Sequence, residues 1–173
     1  MVNYTKRGLV MYAIGDLIVY GSTGVCRVTD ITTPSFAADS GRLYYALEPL
    51  YQRGVIYTPV DTKVFMRTVI TPEDVQKLIA QMPQVEEQGY YASSVQNLSA
   101  YYEEALKQYH CIDLVRLTKS IDRKRNELER QNRKLGQIDL RFLKKAEELL
   151  HGELAAALEM DPQDVREYLA ARV

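Results

Sequence analysis

The sequence contains no tryptophan and only two cysteines and two histidines among its 173 residues. Two isolated cysteines, Cys26 and Cys111, exclude the paired framework of a disulfide-stabilised protein. A structural zinc site would need both cysteines and both histidines, and these four lack the close paired spacing of zinc ligands. No apolar run approaches the roughly 20 residues that span a membrane, and the start does not resemble a secretory signal. We therefore expect a cytoplasmic protein without a membrane span, a metal or another cofactor.

The formal net charge of −1 hides a strong segregation of charge along the chain. Residues 1–71 carry 7 Lys and Arg against 5 Asp and Glu, and residues 72–111 carry 2 against 6. Residues 112–147 carry 11 against 6, whereas residues 148–173 carry 2 against 6. The local field of a patch, rather than the total charge, decides whether a surface attracts a polyanion. A net +5 over residues 112–147 therefore keeps nucleic acid open as a partner.

The first third of the chain has the pattern of short antiparallel strands. Stretches rich in β-branched and aromatic residues alternate with turn residues, as in Gly21-Ser22-Thr23-Gly24. The predicted strands cover residues 17–20, 25–31, 43–47, 55–58 and 64–66. Short strands joined by tight turns predict a small antiparallel barrel, whose edge strand is available for another chain.

The remaining hundred residues have the pattern of helices. Thr71 and Pro72 begin one helix that ends near residue 82, and Ser93 or Ser94 begins a second that reaches about residue 109. A long helix is predicted over residues 113–134, followed by one capped by Asp139 and a short one after Asp161. The sequence therefore predicts an α+β protein, with a barrel followed by an all-α domain.

A positive stripe lies on the predicted long helix, away from its leucines. Its residues recur at spacings of three, four and seven, which places them on one helix face. Such a stripe can follow the phosphates of DNA, whereas the alternative is a solvated face with internal ion pairs. The candidate DNA-binding cations on this helix and the next are Arg116, Lys119, Arg123, Lys124, Arg141, Lys144 and Lys145.

The other candidate sites are weaker. His110 and Cys111 adjoin, but neighbouring residues on a helix point about 100° apart, so we expect no catalytic site. Tyr90-Tyr91 and Tyr101-Tyr102 can stack on bases or pack within the protein. The sequence contains no glycine-rich phosphate loop and no paired carboxylates that suggest catalysis.

Two segments resemble one known family. Residues 12–20, with the Gly15-Asp16 pair, and Gly24-Val25 resemble the opening of the CarD/CdnL family of bacterial transcription regulators. This opening is shared with the RNA-polymerase-interacting module of transcription-repair coupling factor. Residues 44–50 and 55–60 continue the match, and residues 142–146 with 149–155 resemble the late-helix signature of the family. Because the resemblance begins at about Met11, we expect residues 1–10 to be an extension without a role.

The resemblance implies a transcription regulator and not an enzyme. A Tudor-like domain over residues 11–69 would bind the β subunit of RNA polymerase, through an edge that includes Ile56, Tyr57 and Thr58. A helical domain over residues 70–173 would contact promoter DNA without reading sequence and change the stability of the open complex. No small-molecule substrate is implied. The alternative is an adaptor that binds proteins and makes no DNA contact.

Four positions depart from the family pattern, among them Ala100 and Tyr101, which stand where the family has basic residues. Family members carry a tryptophan that wedges against DNA at the bubble edge, and Leu98 stands in its place; a leucine can still insert as an apolar wedge. An arginine on the polymerase-binding strand is replaced by Tyr57.

Overall fold

The computed structural model describes residues 3–5, 8–10, 12–107 and 109–173. The chain divides into two compact units, residues 1–69 and residues 70–173, which we call the N-terminal unit and the helical unit. Within the predicted extension, residues 1, 2, 6 and 7 lie outside the described residues. The described parts of that extension form two short antiparallel strands, β1 (Asn3–Thr5) and β2 (Gly8–Val10).

The rest of the N-terminal unit is a five-stranded antiparallel sheet in the order β6-β5-β4-β3-β7. Its strands are β3 (Leu17–Tyr20), β4 (Gly24–Thr32), β5 (Tyr44–Pro49), β6 (Ile56–Pro59) and β7 (Met66–Thr68). The last strand begins two residues later than predicted, because residues 66–68 are the ones that pair with β3. A strand-rich unit followed by helices confirms the predicted α+β class.

This sheet curls around its own core. The Tyr20 hydroxyl on β3 donates to Thr58 Oγ1 on β6 at 3.2 Å, although β4 and β5 lie between the two strands in the sheet. In a flat sheet three strand spacings would separate β3 from β6 by about 14 Å. A β-bulge between Val28 and Asp30 adds twist to the long strand β4. The curled sheet is consistent with the predicted Tudor-like start of the chain.

The core of the sheet is small and apolar. Cys26 is fully buried in it, and burial raises the pKa of the Cys26 thiol to about 11. Cys26 is therefore a core residue. The buried members of the core are Tyr12, Ile18, Cys26, Val28, Tyr45 and Leu47.

The described residues of the helical unit form five α-helices around a second core. They are α1 (Pro72–Gln81), α2 (Val95–Leu106), α3 (Cys111–Glu129), α4 (Gln137–Leu158) and α5 (Val165–Ala170). Thr71 Oγ1 accepts the Asp74 N–H at 3.1 Å, and Ser94 Oγ accepts the Asn97 N–H at 3.1 Å. Both side chains satisfy backbone donors that the first turn of a helix leaves free, as predicted.

Several helix boundaries differ from the prediction, as at the end of α2, which is Leu106 rather than about residue 109. The long helix α3 ends at Glu129 rather than residue 134, and Asn132 adopts a left-handed φ of 55° that a helix cannot contain. Helix α4 begins at Gln137, so Asp139 lies inside its first turn and is buried rather than capping it. Among the described residues, no helix is long and apolar enough to cross a membrane.

Candidate interaction surfaces

Residues 82–91 lie along α3, and we call this segment the strap. It is a 3-10 turn over Met82–Gln84 followed by irregular chain. The Lys119 ammonium donates to the backbone carbonyls of Met82 and Val85, the latter at 3.0 Å. Ser120 Oγ donates to the Gln88 carbonyl at 2.7 Å. Lys119 therefore holds backbone carbonyls of the strap, and its ammonium is engaged within the protein.

The other cations of the predicted stripe on α3 are paired with carboxylates. Arg116 lies 3.0 Å from Asp113 and 3.9 Å from Glu87 of the strap. Arg123 Nε lies 3.0 Å from Glu127 Oε1, and the hydrogen bonds from Tyr91 and Arg123 lower the pKa of Glu127. These are exposed pairs of the kind expected for a solvated helix face. Much of the positive charge that the stripe carries in the sequence is thus balanced locally.

Lys124 does not lie on the exposed positive surface that the sequence predicted. Its side chain is 8% exposed, and its ammonium lies 2.8 Å from Asp139 Oδ1. The buried Tyr102 hydroxyl donates to the same oxygen at 2.7 Å. The position is enclosed because α2, α3 and α4 meet here. We therefore remove Lys124 from the set of residues that can contact DNA.

The cations of α4 are more available than those of α3. Arg141, Lys144 and Lys145 line a groove between α2 and α4, together with Glu103 and Glu148. Lys144 is 79% exposed in its side chain and lies 3.8 Å from Glu148. Within the described part of the chain, Arg141 and Lys145 form no ion pair. This group, which we call the α4 cations, keeps its charge at the surface.

Leu98 lies beside the α4 cations. It is half-buried on α2 and packs against the helical core, and the next residue, Ser99, accepts a hydrogen bond from Arg141 at 3.1 Å. The predicted DNA-binding residues thus fall into two groups. Leu98 lies with the α4 cations, whereas Arg116, Lys119 and Arg123 lie along the strap.

The adjacent His110 and Cys111 do not form a nucleophile and its base. Cys111 is 6% exposed, and its thiol donates to the buried Glu153 carboxylate at 3.1 Å. Glu153 also accepts the backbone N–H of Ile70 at 3.0 Å, at the start of the helical unit. A buried thiol that donates to a carboxylate is not poised as a thiolate.

The predicted tyrosine pairs are used mainly within the protein. Tyr90 and Tyr101 stack on each other with ring centroids 3.6 Å apart and planes 13° apart. Tyr102 is fully buried, and Tyr91 donates to Glu127 at 2.9 Å. These rings therefore serve mainly in packing within the protein rather than as a free surface for stacking on bases.

In the N-terminal unit, the edge strand β6 is paired on one side. It pairs with β5, and within the described residues no strand pairs with its other side. Its side chains alternate, so that Ile56 packs against the core and Thr58 is 2% exposed, whereas Tyr57 points outward and is 47% exposed. Of the three predicted polymerase-binding residues, only Tyr57 presents its side chain. Ile56 and Thr58 can take part through their backbones alone.

An exposed aromatic cluster covers the outer face of this edge. Phe36 makes edge-to-face contacts with Tyr44 at 5.5 Å and with Tyr57 at 5.8 Å between ring centroids. Phe36 is 67% exposed although it is large and apolar. Its role could not be deduced from the sequence, because it lies between the predicted strands 25–31 and 43–47, and no residue pattern shows that this segment folds beside Tyr57.

An ion pair links the segment before β5 to the segment after β6. Arg42 Nη2 lies 2.8 Å from Asp61 Oδ1, and its hydrogen bond holds the pKa of Asp61 below its ordinary value. The face formed by Phe36, Tyr44 and Tyr57 is itself aromatic.

Residues 12–70 match the family model of the CarD-like/TRCF RID domain. The N-terminal unit is a CarD-like RNA polymerase-interacting domain. This confirms the resemblance over residues 12–70, and the RID family is a protein-interaction domain. The resemblance of residues 142–146 and 149–155 to the late helix of the family stays a prediction. No curated protein matches the chain. The family match ends at residue 70, so the RID domain is the part of the chain for which RNA polymerase is the indicated partner.

Proposed function

We propose that the protein is a cytoplasmic, CarD-like transcription regulator that binds the β subunit of RNA polymerase and contacts promoter DNA. The observation that carries the proposal is the RID domain with its edge strand β6. Among the described residues, β6 pairs with β5 on one side and with no strand on the other. A strand of the β subunit that pairs with β6 would gain main-chain hydrogen bonds. By holding both polymerase and DNA, the protein would change the stability of the open promoter complex.

The helical unit would supply the DNA contact through the α4 cations. Arg141, Lys144 and Lys145 share one groove, and Leu98 lies beside it. Contacts of this kind go to phosphates, so they position the protein without reading sequence. Arg116, Lys119 and Arg123 remain weaker candidates, because their charges are engaged by carboxylates and by the strap.

The proposal is tested by co-purification with the polymerase β subunit and by footprinting a promoter complex with and without the protein. We expect retention on the β subunit and added protection of promoter DNA. Replacing all three α4 cations with alanine should remove the added protection. It should also lower the salt slope of binding to the promoter complex by about three, roughly one for each lost phosphate contact.

Two matched variants control for charge and for location. K77A/K107A/R172A removes the same charge from α1 and from the ends of α2 and α5, and should leave the footprint unchanged. R116A/R123A removes two cations of the predicted α3 stripe and should have little effect. An unchanged footprint and salt slope in the α4 variant would overturn the DNA contact.

The second candidate function is an adaptor that binds polymerase and makes no DNA contact. The observation that favours it is the local pairing of cations on α3. Binding to the β subunit without any change in the footprint would establish this alternative.

A further inference from the structure

We propose that Phe36, held against Tyr57, is the side-chain anchor of the polymerase contact and packs against an apolar side chain beside the polymerase strand. The inference rests on the proposed function, because it names what gives that contact its specificity. Main-chain pairing along β6 is possible for almost any sequence, so specificity has to come from side chains. The aromatic cluster is the part of the outer face that can provide it.

The exposure of Phe36 is the first argument. A phenylalanine that is 67% exposed contributes little to the core of its own domain. Tyr57 is itself 47% exposed, and together the two rings form an aromatic surface that is continuous with the edge strand β6. Aromatic side chains of this kind dominate the energetics of protein interfaces when a partner excludes water from them.

The second argument is that the ring is held in place before any partner binds. Phe36 lies in a 3-10 turn, Ser35–Ser40, which begins after Pro34 and ends at Gly41 with a left-handed φ of 57°. The Ala37 N–H donates to the Pro34 carbonyl at 2.9 Å, and Ala37 is 8% exposed. The edge-to-face contacts with Tyr44 and Tyr57 hold the Phe36 ring in place. A side chain that is already ordered loses less conformational entropy on binding.

The third argument identifies the chemistry of the partner. Arg42, before β5, and Asp61, after β6, pair with each other at 2.8 Å. Tyr57 stands where the resemblance places an arginine in the family. The face formed by Phe36, Tyr44 and Tyr57 therefore offers an apolar, aromatic contact. An aliphatic or aromatic side chain of the β subunit fits this face.

The test measures the affinity of full-length variants for the polymerase β subunit. We expect F36A and Y57A each to weaken binding about tenfold or more, which is the range of interface hot spots. The double variant should lose less than the product of the two single effects, because the rings act together. Since the contact is apolar, the ratio of variant to wild-type Kd should stay the same at low and at high salt.

The matched control is I14A, which removes another apolar side chain of the RID domain with 61% exposure. It should bind like the wild type. Urea unfolding of each variant checks the fold, and F36S, which keeps a small polar side chain, replaces F36A if that variant unfolds early. F36S should also bind about tenfold or more weakly.

The outcomes separate the two proposals. If the wild type does not bind the β subunit, the proposed function fails. If the wild type binds and the folded Phe36 variants bind equally well, the anchor is overturned and the proposed function stands. A loss of affinity that disappears at high salt also overturns the apolar anchor.

Discussion

His151 is a histidine whose ionisation is tied to folding. It lies half-buried on α4, and burial lowers its pKa below the ordinary value of 6.5. Glu147 raises that pKa and Arg166 lowers it, and these two groups are themselves paired at 3.4 Å. The folded protein therefore favours neutral His151, whereas the unfolded chain takes up a proton near pH 6.5. Stability attributable to this group is present above pH 6.5 and is lost as the pH falls below it.

Replacing this histidine with glutamine should make the free energy of unfolding less sensitive to acid. We expect the wild type to lose more stability than H151Q between pH 7.5 and pH 5.5, as measured by urea unfolding. Equal pH dependence in wild type and H151Q would contradict the assignment.

The burial of Lys124 could have been deduced from spacing, whereas its partner could not. Residues 117, 121, 124 and 128 recur at three and four, so Lys124 occupies the one position of the leucine stripe that is not apolar. The sequence does not show that Asp139 meets it, because the two are 15 residues apart and lie on different helices. Local signals such as the Thr71 and Ser94 caps are readable, but contacts set by helix packing are not.

At the scale of elements, one buried polar group joins three helices. Asp139 on α4 accepts hydrogen bonds from Lys124 on α3 and from Tyr102 on α2. Burial, followed by the hydrogen bond to Asp139, raises the pKa of Tyr102 and keeps its hydroxyl protonated as a donor. Such a group fixes how the helices pack, since a buried charge without its partner is costly.

Removing the ammonium from this group should destabilise the helical unit strongly. K124M leaves the Asp139 carboxylate buried without its counter-charge, and we expect a loss of about 3–5 kcal/mol in the free energy of unfolding. K124M/D139N should recover much of this loss, because asparagine is neutral and still accepts from Tyr102. Urea unfolding measures both. If the double variant is less stable than K124M, the stabilising role of the pair is refuted.

The order and type of the elements followed from the sequence, but the path of the strap did not. Residues 84–93 lack apolar periodicity, which favours a loop, and residues 85–93 are irregular in the structure. The strap is held on α3 largely by its backbone carbonyls, as in the bonds from Lys119 to Val85 and from Ser120 to Gln88. Every residue has a carbonyl, so no residue pattern could show this contact. It explains why the positive stripe seen in the sequence is largely engaged in the structure.

At the scale of the whole molecule, the charge balance indicates how DNA is reached. The helical unit carries 15 Lys and Arg against 18 Asp and Glu, a net charge of −3. A unit of this charge is not drawn to DNA from a distance, and exposed groups such as the α4 cations offer a local attraction. Binding to polymerase would overcome this by holding the helical unit at a high effective concentration near promoter DNA.

The dependence of the DNA contact on polymerase can therefore be tested with two variants. Without polymerase, the full chain should leave no footprint at physiological salt, and with polymerase it should protect promoter DNA. F36A/Y57A should lose both polymerase binding and protection, and a higher concentration of this variant should restore protection. The variant without α4 cations should bind polymerase normally and stay without protection at every concentration. If protection of DNA without polymerase equals protection with it, the helical unit finds DNA unaided and the RID domain does not serve as its tether.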